Sequence, residues 1–144
     1  MNQLCFDIVP FVSCGPYKFG MHLDDAETLY NGKYDRNLRK DGGVAFQYPD
    51  LFTLVFAPDA RLEAVVLCEG CRATIDGISL FHDDNVLALL ADKFGSPMKD
   101  STYLVYPRAG LILNEFEEFD EYGRSASICE KKYIDSFIEL FVKK

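Results

Sequence analysis

The chain has 144 residues, of which 49% are hydrophobic and 14% aromatic, and its formal net charge at pH 7 is −8. A chain of this length forms one ordinary domain and buries roughly two thirds of its extended surface, so an intrinsically disordered tail is excluded. The excess of acids disfavours nucleic acid and anionic lipid as direct partners, because both would repel the chain. A membrane span is also disfavoured, since no run of about 18 apolar residues occurs.

The first residues and the cysteines predict the compartment. Residues 1–9 lack a basic n-region, and Asp7 interrupts their apolar run, so they do not resemble a secretory signal peptide. The five cysteines are an odd number in a chain without an export signal, which favours reduced thiols. We therefore expect a cytoplasmic protein.

The first half of the chain predicts a strand, a helix and a meander of three strands. Residues 4–9 form a short apolar run typical of a strand. Residues 24–32 combine acids in the first turn with an apolar face, which predicts a helix that Gly32 ends. The polar segment 33–43 predicts a mobile loop. Three strands are expected after it, at residues 44–47, 51–56 and 61–68.

The second half predicts a similar series. Residues 73–81 favour an extra strand, interrupted at Asp76-Gly77. A helix is expected over about 83–94, where apolar residues recur at helical spacing. After a second meander, residues 131–143 predict a C-terminal helix that docks on the sheet. Its apolar stripe consists of Ile134, Phe137, Ile138 and Phe141.

The two halves align with each other, which predicts an internal duplication. Tyr48-Pro49 matches Tyr106-Pro107, and Cys68-Glu69 matches Cys129-Glu130. We therefore predict an α+β fold in a single domain over residues 1–144. Two repeats, about 15–70 and 77–130, each supply a helix and three meandering strands, and they form a mainly antiparallel sheet covered by helices.

One segment has the composition of a protein-binding surface, and it lies where the second repeat is longer than the first. Carboxylates beside aromatic rings suit Lys and Arg, because acids attract the cation while rings offer cation–π contact and burial. The alternative is a hairpin tip with solvated acids and with rings packed under the C-terminal helix. The candidate partner-binding residues are Glu115, Phe116, Glu117, Glu118, Phe119, Asp120, Glu121 and Tyr122.

The cysteines and histidines give weaker signals. Cys68 and Cys71 have the spacing of a zinc knuckle or a redox dithiol, and Cys129 is the repeat equivalent of Cys68. A shared site would need His22 or His82 as a fourth ligand. Small apolar core thiols are the favoured interpretation, so we expect no metal and no cofactor. No catalytic motif is present, and an enzyme is not expected.

The start of the first repeat resembles small bacterial α+β domains. The resemblance rests on Gly15-Pro-Tyr-Lys-Phe-Gly20-Met21, followed by an acidic amphipathic helix and a meander. Some of these domains are immunity proteins encoded beside polymorphic toxins of contact-dependent inhibition and type VI secretion systems, and others belong to envelope assembly. His22 stands where such helices usually begin with Ser or Thr, and no binding residues carry over.

These observations favour an immunity protein that neutralises a cognate basic toxin domain, for example a nuclease, by tight binding and occlusion of its active site. A small-ligand-binding or assembly-subunit module without catalysis is the alternative, and a hydrolase of unknown type is a second one. Nucleic acid and membranes are not expected as partners, and the oligomeric state stays open.

Overall fold

The chain is an α+β fold in a computed structural model that describes residues 5–100, 102–116 and 123–142. The described helices are α1 (Leu23–Glu27), α2 (Val86–Phe94) and α3 (Lys131–Val142). Two sheets of mostly antiparallel strands make up most of the rest, which confirms the predicted class. Their strands are β1 (Cys5–Val9), β2 (Ser13–Cys14), β3 (Tyr17–Lys18), β4 (Asp35–Leu38), β5 (Val44–Tyr48), β6 (Phe52–Phe56), β7 (Leu62–Cys68), β8 (Arg72–Ile75), β9 (Ile78–Ser79), β10 (Met98–Asp100), β11 (Tyr103–Tyr106), β12 (Leu111–Asn114) and β13 (Ser125–Cys129).

The larger sheet has eight strands in the order β10-β11-β12-β13-β7-β6-β5-β4. It consists of two four-stranded meanders, β4 to β7 and β10 to β13, whose last strands pair antiparallel at its centre. In this central pair Cys68 lies opposite Ser125, and Ala64 lies opposite Cys129. Each meander therefore has one strand more than the sequence predicts. The origin of the two meanders in one duplicated unit stays a prediction.

Strand β4 corrects the expectation of a mobile loop over residues 33–43. All four of its residues are exposed, and it pairs with β5 at the edge of the larger sheet. The guanidinium of Arg36 lies 5.3 Å from the centre of the Phe46 ring. An edge strand without a buried face carries no apolar alternation, and its sequence therefore looks like that of a loop.

The smaller sheet has the order β3-β2-β1-β8-β9. Among the described strands, β1 and β8 form the one parallel pair, with Phe6 opposite Ala73. The extra strand expected over residues 73–81 is a hairpin of β8 and β9. Asp76 and Gly77 form its two-residue turn with φ of 51° and 81°, the conformation that Asp-Gly pairs favour in tight hairpins.

An aromatic cluster joins the smaller sheet to one face of the larger sheet. Phe52 is at its centre: its ring lies 5.4 Å from that of Phe6, 5.6 Å from that of Tyr17 and 4.5 Å from that of Tyr48. All four side chains are almost fully buried. Such ring pairs contribute about 0.5–1.5 kcal/mol each beyond the apolar area they bury.

Helix α3 covers part of the opposite face of the larger sheet. Ile134 is fully buried against Val55 and Cys129, and Phe137 and Ile138 pack beside it. These are three of the four residues of the predicted stripe, and the fourth, Phe141, lies outside the described side chains. The larger sheet is thus the middle layer of the molecule.

The two other helices are shorter than predicted. Helix α1 ends at Glu27, because Tyr30 packs edge-on against Tyr48, with 5.3 Å between the ring centres, instead of continuing the helix. Helix α2 begins at Val86, and the carboxylate of Asp83 before it accepts a hydrogen bond from the Ser79 N–H at 2.8 Å.

Gly110 should be intolerant of a side chain. Its φ is +64°, and a Cβ at this position would lie 2.7 Å from the Cys129 carbonyl oxygen and 3.0 Å from the Phe11 ring. Gly77 has a φ of +81° but no atom within 4 Å of such a Cβ. We expect Gly77→Ala to lower the free energy of unfolding by about 1–2 kcal/mol through backbone strain, and Gly110→Ala to lower it by clearly more. Urea denaturation measures both, and equal losses would show that the contact with Cys129 is unimportant.

Candidate functional site

The structure describes two of the eight candidate partner-binding residues, Glu115 and Phe116. Glu115 has a φ of +66°, and its N–H donates a hydrogen bond to the Thr102 carbonyl oxygen at 3.0 Å. The hydroxyl of Thr102 in turn donates to Asn114 Oδ1 at 2.6 Å. The start of the segment is thus tied to the neighbouring β10–β11 connection. The other candidates lie outside the described residues: Glu117, Glu118, Phe119, Asp120, Glu121 and Tyr122.

Phe116 packs into a cluster at the base of this segment. Its ring centre lies 5.6 Å from that of Phe81, and the guanidinium of Arg124 lies 5.2 Å from the Phe116 ring and 5.9 Å from the Phe81 ring. Arg124 also forms an ion pair with Glu69 and donates to the Phe81 carbonyl oxygen at 3.2 Å. The positive charge of Arg124 is therefore paired with Glu69 inside the molecule.

The strand connections at the two ends of the larger sheet differ in their balance of acids and bases. At one end the consecutive strands of the meanders are joined by residues 49–51, 101–102 and 115–124. We call this the acidic end, because these connections contain Arg124 as their single base. Their acids are Asp50, Glu115, Glu117, Glu118, Asp120 and Glu121.

The connections at the opposite end have the reverse balance. They are residues 39–43, 57–61 and 107–110, and we call this end the basic end. Their acids are Asp41 and Asp59. Their bases are Arg39, Lys40, Arg61 and Arg108. The net charge of −8 is therefore not spread evenly over the connections of the sheet.

A groove of about 720 Å³ opens at the basic end, between helix α3 and the β6–β7 connection. Tyr133, Phe137 and Leu140 form its helical wall, and Glu63 and Arg61 are among the residues of the opposite wall. Leu140 is 64% exposed although it is apolar. We call this feature the α3 groove.

Arg39 holds the opposite wall of the α3 groove in place. Its Nη1 lies 2.6 Å from Glu63 Oε1 and donates to the Phe56 carbonyl oxygen at 2.8 Å. Its Nη2 lies 3.3 Å from Asp41 Oδ2. Two carboxylates of the groove thus share one guanidinium in a fixed geometry, and the group of three keeps a net negative charge.

Glu130, in contrast, has a destabilised charge. Burial raises the pKa of its carboxyl, and Glu63 and Asp59 raise it further by repulsion, while Lys132 partly offsets them. Its backbone is fixed, because its N–H donates to the Glu63 carbonyl oxygen at 2.9 Å and its own carbonyl accepts from the Ile134 N–H. The groove therefore contains a carboxyl group on a fixed backbone position, and a cation would stabilise its negative charge.

The structure separates the cysteines that the sequence groups together. Cys68 and Cys129 end strands β7 and β13, and because these strands are antiparallel, the two residues lie at opposite ends of the ladder. Burial raises the pKa of Cys71 to about 11 and also raises the pKa values of Cys68 and Cys129. These thiols are protonated at neutral pH, which suits core residues. Within the described ranges, no three His, Cys, Asp or Glu side chains are grouped so as to hold a metal ion.

The two histidines do not form a common site. His22 is the N-cap of α1, and its Nδ1 accepts a hydrogen bond from the Asp24 N–H at 3.1 Å. It thereby performs the capping role that Ser or Thr has in related helix starts. His82 is exposed and lies four positions before α2 in the sequence.

The chain matches no protein-family model, and no curated protein or solved structure is significantly similar to it. None of the helices in the described part of the chain has the length and the apolar composition needed to cross a bilayer.

Sequence reasoning missed the α3 groove, because its residues come from distant parts of the chain. Arg39 and Asp41 belong to the segment interpreted as a mobile loop, and Glu130 was noted only as part of a repeated Cys-Glu pair. One signal was available: exposed Leu140 interrupts the polar face of an otherwise amphipathic helix.

Arg124 should stabilise the base of the 115–124 connection. We expect Arg124→Ala to lower the free energy of unfolding by about 1–3 kcal/mol, because Glu69 loses a charge-assisted hydrogen bond and two rings lose a cation. Arg124→Lys should lower the free energy of unfolding by less than the alanine variant, because lysine keeps the positive charge. Lysine does not, however, have the planar guanidinium that forms paired hydrogen bonds and stacks on rings. Urea denaturation of the two variants tests this. A loss below about 0.5 kcal/mol for the alanine variant would contradict a structural role.

Glu130 should weaken the fold as the pH rises. The pKa of Glu130 in the folded chain lies above its unfolded value of about 4.3. Between these two pKa values the folded state therefore binds more protons than the unfolded state. Stability from this group is therefore present at low pH and is lost as the pH rises through the raised pKa. We expect Glu130→Gln to raise the melting temperature at pH 7 and to leave it unchanged at pH 3.5.

Glu139→Gln is the control for that experiment, because Glu139 is an exposed acid on the same helix outside the α3 groove. The substitution Glu139→Gln should change the melting temperature by the same amount at pH 7 and at pH 3.5. If the two variants behaved alike in thermal unfolding, the environment of Glu130 would not be destabilising.

Proposed function

We propose that the protein is an immunity protein, which binds a cognate basic toxin domain through its acidic end and covers the active site of that domain. The observation that supports this most directly is the separation of charge between the two ends of the larger sheet. Six acids and one base lie in the strand connections of the acidic end, and the base is already paired with Glu69. The connections of the acidic end thus contain more acids than bases, which suits a cationic surface.

The physical basis of the proposal is electrostatic steering followed by aromatic contact. A basic cleft that binds nucleic acid is attracted to a dense group of carboxylates, and this raises the rate of association. Aromatic side chains then slow dissociation, because they bury large apolar areas. Since Phe116 already packs against Phe81, we assign this second role to Phe119 and Tyr122.

The rigid base of the connection supports the same proposal. The N–H of Glu115 and the ring of Phe116 are held by Thr102 and Arg124, and Asn114 pairs with Ser125 where the connection begins and ends. A binding segment attached to a rigid base loses less conformational entropy when it meets its partner.

We also propose that the scaffold arose by duplication and acts in the cytoplasm. Each meander contains the Tyr-Pro pair at one position, since Tyr48 ends β5 and Tyr106 ends β11. Cys68 and Cys129 end the last strand of each meander. The five cysteines are free thiols, three of them buried, which suits a reducing compartment.

Replacing the acids of the connection by amides tests the proposed function. The variant carries amides at Glu115, Glu117, Glu118, Asp120 and Glu121. The partner in this test is the basic toxin domain that the proposal requires. We expect the association rate at low salt to fall by about tenfold or more and its dependence on salt to become shallower. Stopped-flow measurements over a range of salt concentrations give both quantities.

A matched pair of variants controls for net charge. Glu117→Gln with Glu118→Gln removes two charges from the connection, and Asp92→Asn with Glu139→Gln removes two exposed charges from helices α2 and α3. The first pair should slow association clearly more than the second. Equal effects of the two pairs would locate the binding surface elsewhere.

A further inference from the structure

We propose that the α3 groove is a second binding site, which takes an extended peptide segment with a Lys or Arg side chain, and that the charge of this side chain pairs with Glu130. The groove lies at the basic end, opposite the acidic end on which the proposed function rests. The two proposed sites therefore lie at opposite ends of the larger sheet.

The charges of the groove favour a cation beside Glu130. Glu63 and Asp41 share the guanidinium of Arg39, whereas no ion pair within the described part of the chain includes Glu130. Glu63 and Asp59 are both close enough to Glu130 to disfavour its negative charge. A basic side chain placed there would relieve this repulsion, because an opposite charge favours the ionised form of a half-buried carboxyl group.

The apolar lining of the groove suits the rest of a Lys or Arg side chain. Tyr133 and Phe137 are half-buried aromatic residues of the helical wall, and Leu140 extends this wall with an exposed apolar side chain. Aliphatic stems pack on such surfaces while their charged ends reach a carboxylate. The rings add cation–π attraction for the same charge.

Two basic residues of the groove decide between a peptide and a free amine. Arg61 donates through its Nη1 to the Gly20 carbonyl oxygen at 3.3 Å, and Lys132 is exposed. Both are hydrogen-bond donors, and a small organic cation brings no acceptor for them. A peptide brings backbone carbonyl groups, which accept hydrogen bonds from these donors. The groove of about 720 Å³ is within the range of roughly 300–1,000 Å³ that ligand sites have, and it exceeds the needs of one side chain.

Short capped peptides test the proposal without any knowledge of a natural partner. The probe is acetyl-Leu-Lys-Leu-amide, and the readout is the change in the backbone amide NMR resonances of Glu130, Tyr133 and Phe137 during titration. The comparison peptides replace the lysine by norleucine, which keeps the aliphatic stem, or by glutamate. We expect the lysine peptide to bind about fivefold more tightly than the norleucine peptide, and the glutamate peptide to bind most weakly.

The Glu130→Gln variant should bind the lysine and norleucine peptides equally, whereas Glu139→Gln, on the same helix outside the groove, should keep the preference for lysine. Equal binding of these two peptides by the unaltered protein would overturn the proposal. Tightest binding of the glutamate peptide would also overturn it and would make the groove a site for anions on Arg61 and Lys132. Resonance changes confined to residues outside the groove would have the same consequence.

Discussion

The antiparallel pairing of β7 with β13 is the constraint on which the rest of the structure depends. It joins two meanders into one sheet, and it makes their last strands run in opposite directions. Residues that correspond between the meanders are therefore carried to opposite ends of the molecule. Cys68-Glu69 and Cys129-Glu130 look equivalent in the sequence, yet Glu69 pairs with Arg124 at the acidic end and Glu130 lies in the α3 groove. One pairing thus explains both why the cysteines cannot share a metal and why the two glutamates have different environments.

Much of the fold could be predicted from the sequence wherever a strand or helix has one buried face. Strands β5, β6 and β7 and helix α3 follow from apolar alternation or helical spacing, because burial against a core selects apolar residues at regular positions. Strand β4 could not be predicted, since its stability comes from backbone pairing that any polar sequence can make. The Asp76-Gly77 pair interrupts the single strand that the sequence predicts over residues 73–81. In the structure it is the turn of the β8–β9 hairpin, for which an Asp-Gly pair is a known sequence signal.

The candidate sites show the same limit. The acidic connection was visible as a composition, because its residues are consecutive. Predicting that the acidic and basic connections lie at opposite ends of the sheet requires the strand order, and no local sequence pattern contains that order. Predicting the α3 groove requires the positions of still more elements. Its residues Arg39, Glu63 and Glu130 come together only when the edge strand, the central strands and the C-terminal helix are all packed. Sites built from such distant residues are a property of the tertiary structure alone.

The polar character of the edge strand β4 has a consequence for how the molecule behaves at high concentration. Within the described residues the sheet of eight strands ends at β4 and β10, and the outer strands of a sheet are where neighbouring chains can add by backbone pairing. Asp35 and Arg36 line one rim, and Lys99 and Asp100 line the other. An incoming strand would have to desolvate these charged side chains. The polar composition that makes β4 resemble a loop in the sequence therefore also opposes the addition of further chains at this edge.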